Sequence, residues 1–209
     1  MSGLRIESVG DPFDSRDLAV EAMGLISRAS AMGLLESLSL RRLDRLSFCQ
    51  VVDRLAAVGI GRELPALLDP KASPPMTGAA LKGWLKRLTQ ALDESPVPAS
   101  EWPALETLLG GDLLTALVDV SPSSLRRYRN EARTTPDEVA ERLHWLSAVV
   151  SDLAGAYNDL GIRRWFHRTR TALDGRSPAQ LLAGPWSPDQ EGPGRVRELA
   201  RSLSAGVAT

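Results

Sequence analysis

The chain has 209 residues, enough for one large domain or two small ones, and its 43% hydrophobic fraction excludes a disordered chain. No apolar run approaches the roughly 20 residues that a membrane helix needs, so no membrane partner is expected. The net charge of −1 excludes a protein coated uniformly in nucleic acid, but it leaves room for one basic face, because phosphate contacts depend on local charge.

The segment from Met1 to Asp11 carries Glu7 and Asp11 and lacks an apolar core, so a secretory leader is not expected. Cys49 is the only cysteine, and His144 and His167 are the only histidines. An intrachain disulfide is impossible, and a Cys/His metal site has almost no material. The expected compartment is the cytoplasm. Leu, Ala, Arg and Glu dominate, and Leu recurs at helical spacing, which predicts an all-α fold.

In chain order, Asp14–Leu38 reads as a first amphipathic helix with a break near Gly33. Leu40–Val58 reads as a second, with Leu43, Leu46, Val51, Leu55 and Val58 near one face and Gly59 and Gly61 as its stop. A short helix around Arg62–Leu68 and a linker over Asp69–Pro75 follow, then a helix over Thr77–Leu92 with a stripe of Leu81, Trp84, Leu85, Leu88 and Leu92. Pro96 and Pro98 rule out continuous helix and mark a boundary, setting residues 1–95 apart as an N-terminal helical region whose Leu stripes read first as core and otherwise as an oligomerisation surface. No internal repeat, G-x-G-x-x-G or Walker-type loop occurs, so no cofactor is implied.

A different pattern begins at Gly110-Gly111, within a region spanning residues 99–158. Asp112–Val118 reads as a short helix, Asp119-Val120 as a turn, and Ser121-Pro122 as the start of a second helix ending near Asn130. Serine before proline is a strong helix start: the hydroxyl accepts an orphan N–H, and proline at the first position forfeits no bond. Leu114, Val120, Leu125 and Tyr128 can point inward to lock the two helices, leaving Ser123, Ser124, Arg126, Arg127, Arg129 and Asn130 outward. Arginine can grip guanine edges or phosphates, Asn can bond adenine, and Ser can bond phosphate. From Ser121 to Thr135 four arginines, Arg126, Arg127, Arg129 and Arg133, face one acid, Glu131, a local charge of +3. The candidate contacts to double-stranded DNA are therefore Ser121, Ser123, Ser124, Arg126, Arg127, Arg129, Asn130 and Arg133. An ordinary αα-corner with a solvated arginine face would carry the same residues.

Thr135 and Pro136 then predict another helix start, leading to about Tyr157 with a stripe of Val139, Leu143, Leu146, Val150 and Leu153. His144 lies within it, with no partner suggested by the sequence. Residues 159–209 form a third segment: a helix over Ile162–Arg168, a stop at Gly175, a fresh start at Ser177-Pro178, and a last helix over Arg195–Leu203.

Val120–Tyr128 resembles the bacterial Xre-type helix-turn-helix, with Asp119 where the turn often holds Gly and Thr115 or Ala116 in the small-residue slot. The spacing Gly161-Ile162-x-x-Trp165-Phe166, then Leu173-x-Gly175-x-Ser177-Pro178-x-x-Leu181-Leu182-x-Gly184, is similar to the toxin-binding domain of Xre/MbcA/ParS-type antitoxins. The likeness covers roughly residues 110–205. It implies a homodimer or higher oligomer that represses its own operon and sequesters a RES-type toxin. By that likeness the partner contacts are Trp165, Arg168, Leu173, Gly175, Ser177, Pro178 and Leu181, although the aromatic pair Trp165 and Phe166 reads first as a buried anchor for the C-terminal helices. Residues 1–95 exceed what a small antitoxin needs, and His167-Arg168-Thr169 stands where the family often has proline. A regulator without a toxin and a helical interaction adaptor are the alternatives. An enzyme is not expected, because no strand–turn–helix elbow or paired-carboxylate spacing places the Ser, Asp and His residues present.

Overall fold

A computed structural model describes residues 4–64 and 78–207 of the chain. Helix dominates: ten α-helices and a single two-stranded sheet are found among the described residues. None of these helices is long and apolar enough to cross a membrane. The chain divides into two compact units, one of residues 1–30 and 34–95, the other of residues 31–33 and 96–209.

The first unit holds strand β1 (Leu4–Val9), helix α1 (Arg16–Ala31), strand β2 (Leu40–Leu43), and helices α2 (Arg45–Ala57) and α3 (Gly78–Asp93). The strands are parallel, with Leu4 opposite Leu40 and Val9 opposite Leu43. The fold is predominantly helical, as expected, and this sheet is the one departure from helix among the described residues. The residues from Leu40 do not begin a helix, because Asp44 ends the extended segment and caps α2. Its carboxylate accepts the Ser47 N–H at 3.0 Å while Ser47 Oγ accepts the Asp44 N–H at 3.0 Å. That reciprocal capping box starts the helical period at Arg45. Phe48, Val51 and Leu55 are buried as a result, whereas Leu46 and Val58, expected on the same face, are 72% and 45% exposed. Leu46 and Phe48 are two positions apart, about 200° around a helix, so they cannot share a face.

The expected first helix ends at Ala31, short of Leu38, and Gly33 beyond it holds a left-handed φ of +77°. Leu81, Trp84, Leu85, Leu88 and Leu92 are buried on α3, the stripe expected of it. They face a core that includes Phe13 and Phe48, whose rings lie 4.9 Å apart, with Trp84 6.3 Å from Phe48. Arg28 closes the unit with an ion pair to Asp93 at 2.9 Å. Most of the expected Arg62–Leu68 helix and all of the Asp69–Pro75 linker lie outside the described residues.

The second unit runs α4 (Pro98–Leu109), α5 (Gly111–Val118), α6 (Pro122–Arg129), α7 (Asp137–Ala154), α8 (Asp159–His167), a 3₁₀ turn (Thr171–Leu173), α9 (Pro178–Leu181) and α10 (Glu191–Val207). Its core joins Trp102 and Leu105 of α4, Leu114 and Leu117 of α5 and Leu125 of α6 to Leu143 and Leu146 of α7, Trp165 and Phe166 of α8, and Val196 and Ala200 of α10. The segments on either side of residue 158 therefore share one interior. α4 is the central post: α5, α6, α7 and α8 all pack on it.

Candidate nucleic-acid interface

α5 and α6 are joined by Asp119, Val120 and Ser121. Asp119 takes the left-handed conformation at φ 56°, ψ 54°, which Asp tolerates better than most side chains. Ser121 is extended and its Oγ accepts the Ser124 N–H at 3.1 Å; Pro122 occupies the first helical position. The hydroxyls of Ser121, Ser123 and Ser124 bond one another at 2.9 and 3.0 Å, so this serine cluster caps the helix. In α5 Thr115 is buried, its hydroxyl donating to the Gly111 carbonyl at 2.8 Å, and Ala116 is exposed.

Two residues fix the inner face of α6. Leu125 is 3% and Tyr128 7% exposed. The Tyr128 ring stacks on Trp102 at 5.8 Å, and Trp102 Nε1 donates to Thr135 Oγ1 at 3.0 Å. Thr135 thereby serves the tryptophan, and α7 begins after Pro136 without a side-chain cap.

The outer face of α6 carries Ser123, Arg126, Arg127, Arg129 and Asn130, all exposed, as is Arg133 just beyond it. Their engagements differ. Arg129 Nη1 meets Glu106 Oε2 at 2.9 Å, and its Nε donates to Asn130 Oδ1 at 3.2 Å. Arg133 lies over the Tyr128 ring at 5.9 Å. Arg126 makes only a long bond, 3.4 Å, to the Pro122 carbonyl, and the Arg127 guanidinium meets no acceptor among the described residues. Arg126 and Arg127 are thus the least committed cations on this helix.

Behind the turn sits an arrangement that no local sequence signal indicates. The carbonyls of Leu117 and Val118 end α5, where the helix dipole is negative. Trp186 Nε1 donates to Leu117 O at 2.8 Å and Arg142 Nη1 to Val118 O at 3.2 Å. Arg142 Nε also donates to Trp186 O at 2.6 Å, and its guanidinium lies 6.0 Å from the Trp186 ring. This buried clamp holds the end of α5, and so the start of the turn, from α7 and from the segment before α10. His144 likewise has an unforeseen partner. Its Nδ1 lies 2.6 Å from Glu101 Oε1, both side chains being buried, with Ser147 Oγ 3.4 Å from the same oxygen.

The residues matched to the antitoxin pattern divide by exposure. Trp165 and Leu173 are 1% and 0% exposed, and Ser177 and Pro178 are also buried. Trp165 meets Phe166 edge-on at 5.2 Å, and Ser177 forms a capping box with Gln180 at the start of α9. Leu181 is half-buried; Arg168 and Gly175 are exposed. The 3₁₀ turn is clipped to α10 by Arg195, whose Nη1 meets Asp174 Oδ2 at 2.7 Å and holds that carboxyl below its ordinary range.

Compared with family models, curated proteins and solved structures, the chain matches none.

Proposed function

We propose that the chain is a DNA-binding regulator in which α5 and α6 act as a helix-turn-helix and α6 meets duplex DNA. One observation carries the reading: a helix whose inner side is fixed by Leu125 and Tyr128 presents Arg126 and Arg127 outward with almost no protein partners. A guanidinium held outward on a fixed helix suits a base edge or a phosphate. The near-neutral total charge fits a protein that touches DNA through one face.

The test is binding to the chain's own upstream DNA, titrated by fluorescence anisotropy against salt. Each well-placed arginine contact is worth about 1–3 kcal/mol, so Arg126→Ala/Arg127→Ala should weaken binding on the order of a hundredfold or more with helix content unchanged. Undiminished affinity in that double variant would remove α6 as the reading element.

Restraint of a RES-type toxin, with the oligomeric assembly it implies, is the less supported half. Of the residues the resemblance assigns to such a contact, Trp165, Leu173, Ser177 and Pro178 lie in the chain's own interior. Arg168 and Gly175 are the members open to a partner. Co-purification with the neighbouring gene product, in a complex larger than the free chain, is the result that half requires.

A further inference from the structure

The second unit carries a basic surface that the α6 reading leaves unused. From Asp159 to Arg176 the chain has five arginines, Arg163, Arg164, Arg168, Arg170 and Arg176, against two acids, Asp159 and Asp174, a local charge of +3. Ile162, Trp165 and Phe166 turn the inner side of α8 into the core. Its outer side presents Arg163, Arg164, His167 and the capping residue Arg168, with Leu160 as the one exposed apolar residue. The guanidinium groups of Arg164 and Arg168 meet no acceptor among the described residues.

α8 and α6 are both tied to the last turn of α4. Arg163 Nη2 donates to Thr107 O at 3.0 Å and its Nε to Leu108 O, satisfying the last turn of α4. The preceding residue of that turn, Glu106, holds Arg129 of α6 at 2.9 Å. Arg129 and Arg163 are therefore seated on consecutive residues of one helical turn. His167 lines an open cleft with Gly110, Gly111 and Asp112, at the corner where α4 passes into α5. Of the acids around this face, Asp112 lines the same cleft as His167, Asp159 begins α8, Glu106 is engaged by Arg129 and Asp174 by Arg195.

We infer that the outer face of α8 is a second DNA contact, made through Arg164 and Arg168 to the phosphate backbone beside the stretch that α6 meets. The inference rests on the α6 reading, because attachment of both helices to the same turn of α4 is what favours DNA over an acidic protein. Roughly half to two-thirds of protein–DNA hydrogen bonds go to phosphate and sugar, so a reading helix of two turns needs backbone contacts outside itself. Arginines without internal partners suit such contacts, since they add affinity and fix orientation without selecting bases.

The experiment uses the full chain and a mixed-sequence duplex, for which no operator need be known. Each phosphate contact adds about 0.9 to the slope of log affinity against log salt. Arg164→Gln/Arg168→Gln should make that slope shallower by about 2, with thermal midpoint retained, and Arg164→Lys/Arg168→Lys should restore most of it. Arg126→Ala/Arg127→Ala is measured alongside. An unchanged slope in the α8 variant together with weakened binding in the α6 variant overturns this inference and leaves the α6 reading standing. The reverse pattern upholds the α8 contact and removes α6 as the reading element. A wild-type chain that binds no duplex overturns both. Loss of a co-purifying acidic protein in the α8 variant, with its salt slope intact, assigns the face to that protein instead.

Discussion

Glu101 shows what a single buried residue does in this molecule. It lies on α4 with no exposure, accepts the Val97 N–H at 3.3 Å, and meets His144 of α7 at 2.6 Å. Ser147 approaches the same carboxyl and also donates to the His144 carbonyl at 2.6 Å. A group removed from such a cluster strands its partners in the interior. Glu101→Ala should cost about 3 kcal/mol, read as a lowered urea midpoint, and the paired replacement Glu101→Leu/His144→Phe should recover much of that loss. Equal costs for the single and double variants would deny the coupling. The partner of His144 was illegible in the sequence for a plain reason: it stands 43 positions upstream, in another helix. By contrast Leu125 and Tyr128 were legible as inward residues, because neighbours three apart on a helix share a face.

At the scale of elements, capping decided where the sequence could be followed. Ser121-Pro122 and Ser177-Pro178 each open a helix as their side chains dictate, whereas Asn158 caps an α8 that begins at Asp159, three residues ahead of the expected start at Ile162. Asp44 was missed, because a Leu-rich run on either side of it reads as one helix. Its carboxyl is held below the ordinary value of 3.8, chiefly by the Ser47 backbone N–H. The sign follows directly: a carboxyl whose folded value is depressed contributes stability above its unfolded value and loses it as pH falls through the folded one. Asp44→Asn should therefore flatten the decline in thermal midpoint below about pH 4, while a wild-type-like acid limb would show that the cap is not what titrates. The strand β1 escaped notice because its six residues, Leu4–Val9, mix charge with apolar residues and its partner lies beyond α1.

Over the whole molecule the second unit behaves as one body, since a common core runs from α4 to α10. Its unfolding in urea should give coincident transitions by circular dichroism and by the fluorescence of its tryptophans. Trp186→Phe keeps a ring beside Trp145, 4.9 Å away in the native packing, but deletes the bond to Leu117. It should lower stability by about 1–3 kcal/mol and weaken binding to the chain's upstream DNA more than binding to mixed-sequence duplex. Equal weakening of both would make Trp186 a packing residue only. Nothing near Gly184-Pro185-Trp186 in sequence announces this role, because it depends on a contact 69 positions away.

That separation carries a consequence for how the protein comes into being. The α5–α6 pair is finished, as sequence, at Arg129, yet the group that clamps its turn arrives only with Trp186. A nascent chain interrupted between the two holds the motif without the means to aim it. Grafting residues 110–131 onto another scaffold would reproduce that immature state. If the proposed function holds, the α5–α6 pair meets DNA only once Trp186 is in place, and transplanting the pair alone should not transfer that activity.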